Sequence, residues 1–372
     1  MLPIQTKKIL CILQLPPPIH GVSLMNNYLL NSILIKANFD FQVVNLQFAS
    51  SVKELNKFTF LKIFKAVYYA FLICYKVVRF KPDLVYFTLS PSGYAFYRDT
   101  IYVLILKLFG LKILFHLHGK GINKASENSF IKKYIYRIVF KNTNVICLTK
   151  KLTKDIEHVY SSVPYIVPNG IPIHPKSSQK RYKTDEVVQI LYLSNYDESK
   201  GILKLIDALK LLRERGFTFN ARLVGAPTNL SIKKVENYIQ KRNLESYIQV
   251  VGPKYGEEKY NELQTADIFV FPTYYSNEAF PLVNLEAMQF GLPVISTFEG
   301  SIPDIVINNE TGFLVETQNA QMLAEKIAIL LKDKDLRIEM GKKGYERFIN
   351  NYTLNHFENS MNKTFWKILG IH

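Results

Sequence analysis

Residues 276–296 read SNEAFPLVNLEAMQFGLPVIS and contain two glutamates, Glu278 and Glu286, eight positions apart. The run DIFVFP (267–272) before them is apolar without polar alternation, which is typical of a strand buried on both faces. Pro281 suits the first turn of a helix, so the stretch predicts a strand, a loop and a helix. Glu278 then lies at the carboxyl end of a parallel strand, where α/β folds bind ligands.

The two carboxylates allow two interpretations, acid–base chemistry on a sugar or a solvated helix face. The predicted placement favours neither, because Glu278 lies in the loop and Glu286 lies beyond the first helical turn. The N–H groups at the start of the helix, at about 280–283, form an anion site between them. An anion flanked by carboxylates that bind hydroxyl groups matches a sugar nucleotide, which has a ribose diol, a diphosphate and sugar hydroxyls.

Similar apolar runs recur along the chain in two series, which predicts an α/β fold with two doubly wound domains facing each other across a cleft. The first series is 8–15, 41–47, 84–88, 112–118 and 144–149, and the second is 187–193, 219–225, 247–252, 267–272 and 292–296. A stretch rich in Pro, Ser and charge separates them. The expected domains are 1–175, a linker at 176–186, 187–350, and a C-terminal helix at 351–372 packing back on the first domain.

The net positive charge lies in the first half of the 372-residue chain. Residues 1–180 contain 24 Lys and Arg against 7 Asp and Glu, so 24 − 7 = +17, whereas residues 181–372 give 23 − 24 = −1. This asymmetry predicts an anionic partner for the first domain, either nucleic acid or a membrane surface. No nucleic-acid-binding motif is present, so a membrane partner and no nucleic acid are expected.

The run AVYYAFLICY (66–75), flanked by Lys65 and Lys76, is too short to span a bilayer. Aromatic and basic residues on both sides, among them Lys57 and Phe58, predict an interfacial helix on anionic lipid, with an aliphatic face inward and a basic rim outward. The alternative is a helix simply buried on a sheet face.

Several other site classes find no support in the sequence. There is no GxGxxG after the first strand and no GxxxxGK[ST], which argues against dinucleotide and P-loop sites. Asp333 and Asp335 have the spacing of a metal–diphosphate motif, but their segment reads as a solvated helix. The three cysteines lie in separate apolar runs, as buried thiols do. No cofactor and no metal are expected.

The stretch 276–296 resembles the E-x7-E signature of family 4 retaining glycosyltransferases of the GT-B fold, approximately S-x-x-E-G-F-G-L-x-x-L-E-A-M-A-x-G-x-P-V. The matching positions are Ser276, Glu278, Phe280, Leu282, Leu285, Glu286, Ala287, Met288, Gly291, Pro293 and Val294. Ala279 and Pro281 replace the two usual glycines, and Pro281 lacks an N–H. The resemblance implies that Glu278 contacts the donor sugar and that Glu286 holds the ribose.

Other segments extend the resemblance over most of the chain. Lys200 in SNYDESKG matches the family's diphosphate-binding lysine, whereas Asn195 stands where arginine is common. The loop after VVGP (250–253) corresponds to the region that meets the base. The resemblance assigns donor binding to Gly21, Asn195, Lys200, Gly252, Pro253, Lys254, Glu278, Ala279, Phe280, Pro281, Leu282 and Glu286, and catalysis to His118, Glu278 and Lys200.

The N-terminal half diverges more from the family pattern. His20-Gly21 occupies the place of a Gly-Gly pair near the diphosphate, and His20 either contacts the acceptor or is an ordinary loop histidine. His116 and His118 share one face of a strand, and His118 resembles the histidine that faces the donor sugar. A zinc site is the rival interpretation, but further ligands at zinc spacing are missing. Arg98 either lines the acceptor site or pairs structurally with Asp99.

The expected function is therefore retaining transfer of a sugar from a nucleotide-sugar donor to a hydroxyl of a saccharide or lipid-linked acceptor. The expected setting is capsule, O-antigen or exopolysaccharide assembly, by a cytoplasmic enzyme peripheral to the inner face of the cell membrane. One alternative is a GT-B nucleotide-sugar epimerase. Another is a basic nucleic-acid-binding protein.

Overall fold

The computed structural model describes residues 6–48, 60–177 and 187–370. The chain forms two compact units, of which the first comprises Met1–Asn169 with Leu354–His372 and the second comprises Gly170–Thr353. The units divide somewhat before the expected boundary at 175. Most of the expected linker, residues 178–186, lies outside the described residues, as do Lys57 and Phe58.

The described part of the first unit is built on a parallel six-stranded sheet with the order β2-β1-β3-β4-β5-β6. Its strands are β1 (Lys7–Leu13), β2 (Phe39–Asn45), β3 (Leu84–Phe87), β4 (Ile113–Leu117), β5 (Asn144–Cys147) and β6 (Tyr165–Ile166). Its helices up to this point are α1 (Gly21–Asn31), α2 (Ile33–Asn38), α3 (Phe60–Phe80), α4 (Gly93–Leu108), α5 (Ile122–Ser126) and α6 (Phe130–Phe140). Strands β3 and β4 are buried along their whole length, which explains why they lack polar alternation.

The described part of the second unit contains a second parallel six-stranded sheet with the order β12-β11-β10-β7-β8-β9. Its strands are β7 (Gln189–Leu193), β8 (Asn220–Val224), β9 (Ile248–Gly252), β10 (Ile268–Phe271), β11 (Val294–Thr297) and β12 (Gly312–Val315). Its helices are α7 (Ile202–Glu214), α8 (Ile232–Gln240), α9 (Gly256–Thr265), α10 (Leu282–Gln289), α11 (Ile302–Ile305), α12 (Ala320–Lys332) and α13 (Lys334–Asn351). The predicted pair of parallel α/β sheets is confirmed.

Each of the ten predicted strands is present, with ends that differ by at most two residues. Two strands were not predicted, β6 and β12. β6 has only two residues, which are too few to produce a signal, and both strands are recognised only by their neighbours in the sheet. Asp333 is the N-cap of α13, where its side chain accepts a hydrogen bond from the N–H of Leu336.

The last helix, α14 (Leu354–Leu369), belongs to the first unit. The ring of Phe365 lies 5.4 Å from that of Phe39 at the start of β2, and 5.9 Å from that of Tyr86 in β3. Trp366 lies 4.9 Å from Phe39. The C-terminal helix thus packs against β2 and β3, which end more than 260 residues before it in the chain.

Both sheets reverse their strand order next to their first strand. In the second sheet β7 lies between β8 and β10, so the loops that follow β7 and β10 emerge side by side. In the first sheet β1 lies between β2 and β3. Such points create a crevice at the carboxyl ends of the strands, which is where open α/β sheets bind ligands.

Candidate active site

The loops after β7 and β10 are packed directly against each other. Gly201 has a φ of +81°, and a Cβ atom there would lie 2.0 Å from the carbonyl oxygen of Pro272. The N–H of Tyr274 also donates to the carbonyl of Ser199 at 2.7 Å. Only glycine permits this approach, which holds Lys200 beside the residues that follow β10.

Glu278 and Lys200 form an ion pair at this point. Lys200 Nζ donates to Glu278 Oε2 at 2.6 Å and lies 4.3 Å from the centre of the Tyr275 ring. The side chains of Lys200 and Glu278 are 21% and 11% exposed, so both remain accessible from one side. The sequence placed the two residues in one site, and the structure brings them into direct contact.

The predicted helix after Glu278 is α10, which begins at Leu282 with Pro281 as its N-cap residue. Pro281 was expected inside the first turn, one position later. The N–H groups of Leu282 and Val283 open the helix and have no partner within it. The missing N–H of Pro281 therefore removes no donor of the helix itself, and no acidic side chain lies in the first turn.

Ala279 and Phe280 serve the packing of this segment. Both are buried, the carbonyl of Ala279 accepts from the N–H of Ser301 at 3.0 Å, and the ring of Phe280 lies edge-on to Tyr352 at 6.0 Å. Gly300 faces the carbonyl of Glu278, since a Cβ atom at Gly300 would lie 2.0 Å from that oxygen. The backbone that carries Glu278 is thus fixed from two sides.

Glu286 is paired with a lysine that sequence reasoning did not identify. Lys259 Nζ donates to Glu286 Oε1 at 2.7 Å, and the side chains are 22% and 11% exposed. Lys259 lies in α9, whose sequence GEEKYNELQT resembles an ordinary solvated helix. No local signal distinguishes Lys259 from its neighbours, so only the fold shows this contact.

Asn284 is a second residue that the sequence did not single out. It lies in the first turn of α10 with its side chain fully buried, and neither of its amide atoms has a hydrogen-bond partner among the described residues. Buried polar atoms usually have a hydrogen-bond partner, so the unpaired amide of Asn284 is an unusual feature that costs free energy. Nothing in its sequence surroundings marks it.

The remaining donor-binding candidates of the second unit lie in two other loops. Gly252 ends β9 with a φ of +80°, and its N–H donates to the hydroxyl of Tyr196 at 3.1 Å. Pro253 is exposed, and Lys254 pairs with Glu258 at 2.9 Å. Asn195 is exposed after β7 and offers an amide where a guanidinium would add charge.

Three histidines cluster at the carboxyl edge of the first sheet. The rings of His116 and His118 lie 3.9 Å apart, which confirms that they share one side of β4, and His116 Nδ1 is 2.8 Å from the hydroxyl of Tyr86. Burial lowers the pKa of His118 to about 3, and His20 adds to this effect. Burial and the neighbouring His118 hold the pKa of His116 well below its usual range.

These imidazoles are neutral and have unused hydrogen-bonding capacity. The buried nitrogens without partners among the described residues are Nε2 of His20, Nε2 of His116, and both Nδ1 and Nε2 of His118. His20 also caps α1, where its Nδ1 accepts from the N–H of Ser23 at 3.3 Å. Burial lowers its pKa as well. A neutral imidazole offers one donor and one acceptor, which suits a hydroxyl group.

Gly21 and Arg98 are the other candidates of the first unit. A Cβ atom at Gly21 would meet nothing within 4 Å, so local packing does not require glycine there. Arg98 pairs with Asp99 at 2.6 Å and stacks over the Phe48 ring at 4.2 Å. Asp99 is fully buried, and burial raises its pKa while Arg98 opposes the rise. The structure therefore contains the Arg98–Asp99 ion pair, which was one of the two alternatives for Arg98.

Helix α3 has mixed side chains on both of its faces. Tyr69, Ile73, Val77 and Phe80 are buried, so the inward face is partly aromatic rather than aliphatic as expected, and aromatic residues cover the exposed side together with basic residues. The exposed large apolar residues of α3 are Phe60, Leu61, Ile63, Phe64, Val67, Tyr68, Phe71, Tyr75 and Val78. None of the helices in the described ranges has the length and apolar content needed to cross a bilayer.

Metal binding finds no support among residues 6–48, 60–177 and 187–370. No group of three or more His, Cys, Asp or Glu side chains there is arranged to hold an ion. Cys11 and Cys147 are buried free thiols, and Cys74 is a partly buried one.

Comparisons with known proteins agree with this geometry. Residues 174–347 match the family model for glycosyl transferases group 1, which includes both ion pairs and α10. An uncharacterized glycosyltransferase of Methanocaldococcus jannaschii is 28% identical over 259 residues, covering 69% of each chain. The capsular polysaccharide biosynthesis glycosyltransferase CapM of Staphylococcus aureus is 31% identical over 163 residues, covering 44% of this chain and 41% of CapM.

Solved structures match along nearly the whole chain. A glycosyltransferase from Rickettsia africae superposes with a TM-score of 0.76 at 21% identity, covering 98% of this chain and 99% of that one. HepE of Anabaena, solved in complex with UDP, gives a TM-score of 0.71 at 16% identity, covering 97% and 100%. The predicted GT-B fold is confirmed, and residues 174–347 of this glycosyltransferase belong to the group 1 family.

Proposed function

We propose that this enzyme transfers a sugar from a nucleotide diphosphate sugar to an acceptor hydroxyl, with retention of the anomeric configuration. One observation carries the proposal. The Lys200–Glu278 pair precedes the N-terminus of α10, and the Lys259–Glu286 pair follows its first turn. Two carboxylates and a helix N-terminus between them offer acceptors for hydroxyl groups on both sides of an anion site.

In this proposal the diphosphate is bound by Lys200 and by the N–H groups of Leu282 and Val283. The diphosphate becomes more negative as the sugar–oxygen bond breaks, and fixed donors of this kind stabilise such charge most effectively. Glu278 accepts hydrogen bonds from hydroxyls of the transferred sugar. Glu286 accepts from the ribose hydroxyls, the same use of a carboxylate as in dinucleotide-binding folds.

The first unit contributes His118 and Gly21 to donor binding in the proposal. The buried ring nitrogens of His118 have hydrogen-bonding capacity for a sugar hydroxyl, and the open space at Gly21 allows a phosphate to approach the backbone. Asn195, Gly252, Pro253 and Lys254 remain proposed donor contacts. His20 and Arg98 are proposed contacts of the acceptor.

A uridine diphosphate sugar is the proposed donor, because structures of HepE contain UDP and UDP-glucose. The proposed acceptor is a saccharide or lipid-linked saccharide in the assembly of capsule or a related surface polysaccharide. Relatives such as CapM, and the amylovoran glycosyltransferase AmsK of Erwinia amylovora, support this setting. The basic, aromatic surface of the first unit supports a peripheral location at the inner face of the cell membrane.

The donor proposal is tested by titrating the protein with a library of nucleotide sugars and observing the ligands by NMR. We expect a uridine diphosphate sugar to bind, and Glu286→Gln to weaken it. Glu262→Gln is the matched control, since Glu262 is equally buried and pairs with Arg222 at 2.6 Å. Equal weakening by both variants contradicts the ribose assignment. Isomerisation of the bound sugar nucleotide without an acceptor indicates an epimerase instead.

A further inference from the structure

Helices α3 and α4 border an apolar groove of about 540 Å³ on the first unit. Ala66 and Ala70 of α3 line it, as does Tyr102 of α4, whose hydroxyl donates to the carbonyl of Ala66 at 3.0 Å. The volume lies within the range of about 300–1,000 Å³ that is typical of small-molecule sites. The small alanine side chains create the space, and the bond from Tyr102 holds the two helices at this separation.

The walls of the groove are apolar and face water. Ile63 and Val67 of α3 are 46% and 51% exposed, and Tyr94 and Ile101 of α4 are 80% and 56% exposed. Contiguous apolar surface of this kind on a soluble domain marks an interaction site for a ligand, a membrane or a protein.

The net charge of the helices on this side of the first unit favours an anionic partner. Helices α3, α4 and α6 contain nine Lys and Arg residues and one acid, so 9 − 1 = +8. The cations are Lys62, Lys65, Lys76, Arg79, Arg98, Lys107, Lys132, Lys133 and Arg137. The acid is Asp99, which is fully buried and paired with Arg98. The exposed part of this surface therefore combines aromatic and aliphatic side chains with positive charge alone.

We propose that the groove between α3 and α4 binds one hydrocarbon chain of an anionic phospholipid. This inference rests on the membrane location in the proposed function, and goes beyond it by naming a site for a single lipid molecule. A flat bilayer surface contacts the exposed aromatic residues but does not fill a concave groove. Lys62 lines the same groove and supplies a positive charge for the headgroup phosphate, and Arg98, whose charge is balanced by Asp99, lines it with a guanidinium group.

The occupant is an anionic lipid because its hydrocarbon chain matches the apolar walls of the groove and its headgroup matches the positive charge. A free phosphate leaves the apolar walls exposed to water. An amphipathic protein helix would cover the walls, but needs acidic residues along its whole length to match a net charge of +8. A lipid supplies one anionic group at one end of an apolar chain.

The test uses isolated protein and short-chain phosphatidylglycerol below its critical micelle concentration, with binding measured by calorimetry. Ala66→Phe fills the groove and is expected to weaken dihexanoyl-phosphatidylglycerol at least tenfold. Leu104→Phe is the control, because Leu104 lies on α4 outside the groove and is 41% exposed. Unchanged affinity in Ala66→Phe overturns the proposal, as does equally tight binding of glycerol 3-phosphate or dihexanoyl-phosphatidylcholine.

A second measurement needs no variant. The affinity of the unaltered protein should rise steadily from dibutanoyl- through dihexanoyl- to dioctanoyl-phosphatidylglycerol, and an affinity independent of chain length overturns the proposal. Sugar-nucleotide titration of Ala66→Phe should match that of the unaltered protein, because none of the proposed donor contacts lines the groove. Loss of lipid binding and loss of donor binding are thus separate results.

Discussion

Lys200 Nζ lies 2.6 Å from Glu278 Oε2 although 78 residues separate them along the chain. Their contact follows from the order of the sheet. β7 and β10 are neighbours at the reversal point, and Gly201 allows the two loops to touch. A lysine and a glutamate from two separate loops thereby form one ion pair.

Replacing either member of this pair should damage the proposed reaction strongly. Glu278→Gln removes the charged acceptor for the sugar, and Lys200→Met removes the cation beside the diphosphate. Each change should cost about 1.5–3 kcal/mol of transition-state stabilisation, or about 10–150-fold in kcat/KM. The double variant should lose less than the sum of the two, because the residues contact each other. Strict additivity in this cycle would show that the ion pair plays no joint role.

Lys259 should act through Glu286. In Lys259→Met the carboxylate of Glu286 loses its charged partner. The expected loss of stability is about 1–3 kcal/mol, between the values for surface pairs and fully buried pairs. KM for the donor should rise several-fold while kcat changes little, because a ribose contact contributes equally before and during the reaction. Lys259→Arg should restore part of the affinity. A fall in kcat with unchanged KM is incompatible with this positioning role.

The predictable parts of the fold are those in which a short stretch of sequence alone indicates the structure that it adopts. Continuous apolar runs identified ten strands, because parallel strands are buried on both faces. The stretch 276–296 located the loop and helix at Glu278 and Glu286 because its turn, helix start and spacing are all local features.

The parts that were missed depend on contacts between distant residues. The pair Lys259–Glu286 joins α9 to α10, and no charge pattern in α9 indicates which lysine faces the site. In α3 the sequence contains two apolar stripes of helical period, one with Ile73 and Val77 and one with Phe64 and Phe71. Only the sheet decides which stripe is buried, so the exposed aromatic face could not be read from periodicity.

Two glycines should respond oppositely to alanine. Gly201→Ala introduces a Cβ atom 2.0 Å from a carbonyl oxygen at a φ of +81°, and should cost at least about 1–3 kcal/mol of stability. Gly21→Ala meets no neighbour at the start of α1, and should leave stability unchanged or raise it by up to about 1 kcal/mol. Thermal denaturation measures both. If Gly21→Ala is equally stable and fully active, a diphosphate does not approach the backbone at Gly21.

His118 should give the protein an acid-sensitive stability. Its pKa is about 3 in the folded chain and about 6.5 when exposed, so between these values the unfolded chain binds a proton that the folded chain does not. The free energy of unfolding should therefore fall as the pH drops below 6.5, by about 1.4 kcal/mol per unit for this proton. The neighbouring groups are His20, His116 and Tyr86.

Urea denaturation at pH 7.5 and pH 5.0 measures this effect. His118→Asn should lose less stability between the two pH values than the unaltered protein, by about 2 kcal/mol. Above pH 6.5 the free energy of unfolding should depend on pH in the same way in both proteins, because His118 is then unprotonated in the folded and the unfolded chain. An identical loss in the two proteins would mean that His118 takes up its proton in the folded state.

The first unit should bind anionic vesicles through α3 and α6. Phe64 and Phe71 of α3 are 74% and 72% exposed, and Phe130 of α6 is 83% exposed next to Lys132 and Lys133. Each basic residue near an anionic surface contributes about 1 kcal/mol, and this contribution falls as salt is added. Flotation with vesicles of phosphatidylglycerol should therefore recover the protein at low salt, and vesicles of phosphatidylcholine should recover little.

Charge reversal provides the control for this experiment. Lys132→Glu with Lys133→Glu should release the protein from anionic vesicles. Lys342→Glu with Lys343→Glu, an equal change on α13 of the second unit, should not. Donor binding should be the same in both double variants, because none of the four lysines is among the proposed donor contacts. Equal release by the two double variants would show that binding depends on total charge rather than on the aromatic surface of the first unit.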